Sequence, residues 1–314
     1  MNRFPDHARV VFIGDSITCG GIWIAHIYDY YLRHFPKSDI RMYNAGISGG
    51  SAVSALEYYD RGNGENYKPT HAVIMLGMND VNRGLYEIKP EENDIADKRL
   101  EKRMEAIGGY EKRLRALAGL LLQRGVKLTF VTPTIYDEST DPRALDKIGC
   151  DAGLEYLGEI NRRIAAQTGS DFVNLHASIR FLNAAHPMIR PDRVHPDEFG
   201  HVCMAHLFLA AQGLVDEPAA LTVDALPGWE ELLPVNRARF EAEKAVRALW
   251  NVEWLLLRGH GESEEERRAY LKAFRETAPN EFWTGLVDTY FAMDGDMEAA
   301  QQRETVCAEA CLKQ

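Results

Sequence analysis

The chain reads as an α/β fold in three layers, with about five parallel strands, followed by an all-helical extension. Three observations predict this. Short apolar runs alternate with segments of helical spacing, the pattern of crossovers that lay parallel strands side by side under helices on both faces. The runs are rich in β-branched and aliphatic residues and stop at Gly, Pro or Asn. After Val215 the strand signal stops.

The elements follow in order. Arg9–Gly14 (RVVFIG) is the first strand, and Ile22–Phe35 has helical spacing. Ile40–Asn44 is the second strand and enters a Gly-rich turn; Ser51–Tyr59 forms a short helix. His71–Leu76 is a continuous apolar run of the buried-strand type. Asp94–Arg124 is a long helix, with Gly108-Gly109 as the place where it would break. Lys127–Thr132 is the fourth strand and ends before Pro133. Leu154–Thr168 is helical, Asp171–Leu175 is the fifth strand, and Glu198–Gln212 closes the unit as a helix. The organisation is therefore residues 1–214 as one α/β domain and 215–314 as a helical extension. Pro218, Pro227 and Pro234 punctuate the junction. Asn236–Leu257 carries Phe240, Val246, Trp250, Trp254 and Leu257 near one stripe. Ser263–Glu266 is a capping box with Tyr270 and Phe274 behind it. Phe282, Trp283, Leu286, Tyr290 and Phe291 form a third apolar face, and Asp296–Lys313 a fourth, weaker helix.

Composition narrows the function. The 314 residues carry a net charge of −11. From Val215 onward there are 20 acidic and 11 basic residues, a balance of −9 that leaves −2 for the rest. An acidic chain without a basic stripe is unsuited to nucleic acid or anionic lipid, and a small neutral substrate fits better. No run of apolar residues reaches membrane-spanning length. Met1–Arg9 lacks the basic and apolar regions of a signal peptide, so the expectation is a cytoplasmic protein. The five cysteines, Cys19, Cys150, Cys203, Cys307 and Cys311, are odd in number and form no CxxC, against a disulfide scaffold or a structural zinc.

Four motifs fall beyond strand ends, the fourth between strand five and the last helix of the unit. Gly14-Asp15-Ser16 puts a hydroxyl where a strand hands over to a helix, at the sheet edge where open α/β folds place their sites. Alone, Ser16 would be a helix cap, and the G-x-S-x-G elbow is not met because position 18 is Thr. Asn44–Gly50 (NAGISGG) is a Gly-rich loop whose N–H groups can approach a ligand; it has no G-x-G-x-x-G and no Walker lysine. Gly77-Met78-Asn79-Asp80 offers a side-chain amide to an oxyanion, or simply an Asx turn. Asp192-Arg193-Val194-His195 places a carboxylate three residues before an imidazole, which suits orientation of a catalytic base better than a metal site without further ligands. The parts are complementary: Ser16 attacks, His195 takes its proton, Asp192 orients His195, and the loops at Gly49 and Asn79 supply oxyanion donors.

With VVFIGDSIT, NAGISGG, VIMLGMND and DRVHP in this order, the first two thirds of the chain resemble the SGNH hydrolases, or GDSL esterase/lipase family. The resemblance implies a flavodoxin-like fold and hydrolysis of esters, acetyl-sugars, lysolipids or acyl-thioesters. It implies Ser16 as nucleophile with Asp192 and His195 as its triad. It also implies an oxyanion hole of the Ser16 N–H, the Gly49 N–H and the Asn79 amide. The block reads GDSI where the family nickname has GDSL. No cofactor or metal is expected. The polar stretch Thr132–Cys150 and the lack of a long apolar edge loop favour a short acyl group, of acetyl type, on a carbohydrate or other small polar carrier. A lysophospholipase or thioesterase is the alternative within the family. A non-catalytic binding or assembly module working through the helical tail is the alternative outside it. The tail lies outside the resemblance and is expected to pack on the core, wall the site, or pair subunits as a homo-oligomer. Tyr136 and Asp137, after strand four, are candidates to touch substrate; His201, His206 and Cys19 read as packing or boundary residues.

Overall fold

A computed structural model of the chain describes residues 1–62, 64–87, 96–139, 146–216, 226–257, 263–279 and 281–313. They form two compact units, Met1–Leu232 and Leu233–Gln314.

In the first unit the strands β1 (Arg9–Gly14), β2 (Arg41–Gly46), β3 (His71–Met75), β4 (Lys127–Val131) and β5 (Asp171–Val173) make one parallel sheet in the order β2-β1-β3-β4-β5. This is the flavodoxin-like doubly wound order, whose direction of winding reverses between β1 and β3. Strands buried on both faces need no polar alternation, and Val10 to Ile13 are all buried. Helices α1 (Ser16–Gly20) and α2 (Ile22–His34) follow β1; α2 packs beside α7 (Glu198–Ala211). Trp23 of α2 stands edge-on to Phe12 of β1 and to Phe208 of α7, so three aromatic rings lock this layer to the sheet. Helices α3 (Ala52–Asp60), α4 (Ala96–Gln123) and α5 (Cys150–Thr168) pack side by side as the other layer. Buried Tyr110 of α4 places its Oη 3.0 Å from the Leu76 carbonyl and 2.6 Å from Asn161 Oδ1 of α5. The Asn161 amide donates to the Val131 carbonyl at 2.9 Å. These bonds satisfy the carbonyls where β3 and β4 leave the sheet.

Three expectations are corrected. The strand β5 stops at Val173: Asn174 caps a helix, α6 (Leu175–Ala185), by accepting from the Ala177 N–H, so Leu175 is helical. The strand β2 runs two residues beyond Asn44. The helix α4 continues through Gly108-Gly109: after the pair Tyr110, Leu114, Leu117 and Leu121 form one buried stripe, and before it Arg103 donates to the Leu85 carbonyl. Residues 94 and 95, placed in that helix by the sequence, lie outside the described residues.

The second unit contains α8 (Pro234–Asn251), α9 (Glu264–Thr277), α10 (Glu281–Ala292) and α11 (Met297–Cys311). Val246, Leu249, Val252, Leu271, Val287 and Tyr290 form its core. The capping box is present: Ser263 accepts from the Glu266 N–H, and Glu266 accepts from the Ser263 N–H at 3.0 Å. Trp250 and Trp254 stack at 5.2 Å, and the Phe282 side chain lies outside the described residues. The first unit reaches past Val215 to Leu232 because Trp229 packs on His26 and Arg33 donates to the Glu231 carbonyl. Among the described residues no helix is long and apolar enough to cross a membrane.

Candidate active site

At the end of β1, Asp15 caps α1 by accepting the Ile17 N–H at 3.0 Å, which makes Ser16 the first helical residue. An N–H in the first turn has no partner within its helix and points outward with the positive end of the peptide dipoles. Two glycines allow this tight corner. Gly14 and Gly46 are register partners on β1 and β2. A Cβ on Gly14 would lie 2.1 Å from Thr18 Oγ1, and one on Gly46 2.2 Å from the backbone nitrogen of Cys19. Side chains there would push α1 off the sheet.

His195 reaches Ser16 from a loop folded back on itself. The Asp197 N–H donates to the Met188 carbonyl at 2.9 Å and the Arg190 N–H to the His195 carbonyl at 2.8 Å, so residues 188–197 form a small hairpin. Its tip is a turn, closed by the Arg193 N–H on the Arg190 carbonyl, with Pro191 second and Arg193 at φ +66°. This brings Asp192 under His195. Ser16 Oγ lies 2.7 Å from His195 Nε2, and His195 Nδ1 lies 2.7 Å from Asp192 Oδ2. Asp192 Oδ1 accepts the N–H groups of Val194 and His195 at 3.0 and 2.9 Å. Partial burial pushes the Asp192 carboxyl up, but the bonds from the His195 ring and the two backbone N–H groups outweigh it and hold it well below the usual carboxylate range. A carboxylate on Nδ1 fixes the proton there and leaves Nε2 as the acceptor for the Ser16 hydroxyl.

The other two motifs close over β1 and β3. The Ile47 N–H donates to the Gly14 carbonyl, and the Gly50 N–H to the Ile47 carbonyl, pinning the NAGISGG loop to the end of β1. Between them Gly49 takes φ +70°, a left-handed conformation glycine adopts without strain, and its N–H has no hydrogen-bond partner among the described residues. Asn79 donates through Nδ2 to the Gly50 carbonyl at 2.8 Å. Thus Ser16, Gly49, Asn79, Asp192 and His195 gather at the carboxyl edge of the sheet, at the reversal between β1 and β3.

Two buried carboxyls support these loops. Asp80 accepts the Ala52 N–H at 2.9 Å and ties the GMND loop to the start of α3. Burial raises Asp80 to about 7, with the nearby Asp15 adding to the effect, and raises Asp15 to about 6. His201 is buried behind the triad, and desolvation, with Arg190 next, lowers it to about 3. Tyr136 and Asp137, candidates to touch substrate, are buried: the Tyr136 hydroxyl donates to Asp146, and Asp137 accepts from Ser139. Among the described residues no group of three His, Cys, Asp or Glu is arranged to hold a metal.

Two arginines were not singled out by the sequence. Arg193, buried despite its charge, donates to the Asp137 carbonyl at 2.8 Å while the Asp137 N–H donates to the Arg193 carbonyl at 2.9 Å, latching the triad loop to the end of β4. Arg83 donates to the Met78 carbonyl at 2.6 Å and to Asn79 Oδ1 at 3.3 Å. Arg193 stands inside the DRVHP motif and Arg83 three residues after GMND, and that placement is the signal the sequence offers for either.

The profile of the GDSL-like Lipase/Acylhydrolase family matches residues 12–202. An acetylxylan esterase from Geobacillus stearothermophilus is 28% identical over 222 residues, which is 65% of this chain and 94% of the esterase. A solved structure of a catalytic mutant of the acetylxylan esterase Axe2, from the same organism, superposes with a TM-score of 0.54 at 25% identity, covering 68% of this chain and 97% of that one. A gut microbial diltiazem-metabolizing enzyme superposes with a TM-score of 0.72 at 18% identity, covering 100% of this chain and 96% of that one. That last likeness is one of fold, and it extends over the helical unit.

Proposed function

Because the chain belongs to the GDSL-like lipase/acylhydrolase family and is an ester-cleaving hydrolase, we propose that it removes a short, acetyl-type group from a carbohydrate or other small polar carrier through an acyl-enzyme on Ser16. The observation that carries the mechanism is the unbroken line from Ser16 Oγ to His195 Nε2 and from His195 Nδ1 to Asp192, at 2.7 Å each. Ser16 attacks the ester carbonyl carbon while its proton passes to Nε2. The tetrahedral oxyanion is held by the N–H groups of Ser16 and Gly49 and by the Asn79 amide. The C–O bond breaks, Nε2 returns the proton to the leaving alcohol, and water activated by the same nitrogen frees the acid and restores Ser16.

The acetyl-carbohydrate assignment is supported by the acetylxylan esterase relative and by the polar edge segment. It is supported too by the accessibility of the triad, where the His195 and Asp192 side chains are 36% and 49% exposed. An open, polar rim suits a hydrated carrier better than a long acyl chain.

Hydrolysis of p-nitrophenyl acetate by the wild type beside Ser16→Ala tests the reading. Turnover in the wild type that vanishes in the variant is expected; equal turnover would refute the role of Ser16. Across p-nitrophenyl esters, rates should fall from acetate to octanoate, and a rise would favour a lysophospholipase or thioesterase.

A further inference from the structure

We infer that Arg83 is a positioning residue for catalysis: it fixes and polarises the Asn79 amide so that one N–H is left to meet the oxyanion. The inference rests on the proposed role of Asn79 as an oxyanion donor.

A primary amide has two N–H donors and one oxygen that accepts, and it can be placed in either of two flips. Here both ends are committed. Asn79 Oδ1 accepts from the Arg83 guanidinium at 3.3 Å, and one Nδ2–H donates to the Gly50 carbonyl at 2.8 Å. The opposite flip would set the amide N–H₂ against a guanidinium, two donors facing, and its oxygen against a carbonyl, two acceptors facing. With Oδ1 and one hydrogen engaged, a single N–H remains. The guanidinium charge beside Oδ1 also draws electron density from nitrogen to oxygen, which makes that N–H a stronger donor.

The chain is bent to bring Arg83 back. The Val81 N–H donates to the Gly77 carbonyl and the Asn82 N–H to the Asn79 carbonyl, coiling Gly77–Asn82 into a tight turn. Asn82 then takes φ +54°, a left-handed conformation that Asn tolerates better than most side chains. That reversal returns the Arg83 side chain onto the carbonyl of Met78 at 2.6 Å, five residues back. A guanidinium so placed is near enough to Asp15, the residue before Ser16, to lower its carboxyl against the pull of burial.

The test is a double-mutant cycle on p-nitrophenyl acetate with Arg83→Met, Asn79→Ala and the pair. The expectation is that Asn79→Ala lowers kcat by about 10²–10³. Arg83→Met should lower kcat by about tenfold or more, with KM changed less than about twofold. In the Asn79→Ala background Arg83→Met should cost less than about twofold, since the amide it positions is gone. Equal losses in both backgrounds, or a loss below about twofold in the wild type, would overturn the role of Arg83. A full loss in Arg83→Met with none in Asn79→Ala would instead overturn the oxyanion role of Asn79. Should Arg83→Met fail to fold, Arg83→Gln, which keeps a donor for the Met78 carbonyl but not the charge, gives the same readout in the same two backgrounds.

Discussion

Asp192 does two jobs with two oxygens, and they can be separated by one substitution. Oδ1 accepts backbone N–H groups and shapes the loop; Oδ2 takes the His195 Nδ1 proton. Asn at this position keeps the first and inverts the second, because its amide N–H₂ faces Nδ1 and drives the ring proton to Nε2. The Ser16 hydroxyl then meets a donor. Asp192→Asn should fold as the wild type yet lose on the order of 10⁴ in turnover of p-nitrophenyl acetate, a loss that would shrink at high pH if hydroxide takes over the base role. A variant that keeps more than about a tenth of wild-type turnover would contradict the tautomer argument. The five candidate residues were legible in the sequence because each stands in a short motif, three of them just past a strand end and Asp192 and His195 in the loop before α7. Arg83 and Arg193 were not. Their roles depend on left-handed residues, Asn82 and Arg193 itself, that fold a side chain back on its own loop, and no spacing rule encodes that reversal.

Elements were legible where a periodic stripe was long and missed where tertiary contacts decided. The helix after β5 went unread because Leu175 and Phe172 belong to one apolar run, and only the Asn174 cap divides strand from helix. The glycine pair in α4 misled in the other direction. Gly108 is exposed, with open space where a Cβ would stand. Helical glycine costs about 0.5–1 kcal/mol relative to Ala through backbone entropy, too little to break a helix anchored by four buried residues. Gly108→Ala should therefore stabilise the protein by about that amount, or about 1–4 °C in Tm, with catalysis unchanged. A lower Tm on thermal melting would mean the position meets a constraint outside its own helix.

At the scale of the whole molecule, buried acids govern how stability depends on pH. Asp15 is raised to about 6 and Asp80 and Glu304 to about 7, in each case chiefly by desolvation. Such groups bind protons more tightly folded than unfolded, so stability falls as pH rises from the unfolded values near 4 through the folded ones, and levels off above. Asp192 is displaced downward and acts oppositely, its contribution being lost only as pH falls below the ordinary carboxylate range. Buried His26 and His201, lowered by desolvation to about 4 and about 3, oppose this below their ordinary value near 6.5, so Tm should decline between about pH 6.5 and about pH 8. Asp80→Asn, which can still accept the Ala52 N–H, should flatten that decline, gaining a few degrees at the upper end and little at the lower. A wild-type Tm that rises between these values would show that the buried carboxyls do not dominate. The reach of the first unit to Leu232 was equally a whole-molecule property, set by how Trp229 and Glu231 meet α2, and of the prolines at the junction Pro234, the first residue of α8, stands where the second unit begins.

The corner beneath Ser16 is defined by two side chains that are missing. Since Gly14 and Gly46 face each other under α1, and even a methyl group on either would collide with atoms of α1, the height of the nucleophile above the sheet cannot drift by small steps. A change in what the enzyme accepts is therefore more readily made in the loops that rim the site than at this corner, which acts as its fixed datum.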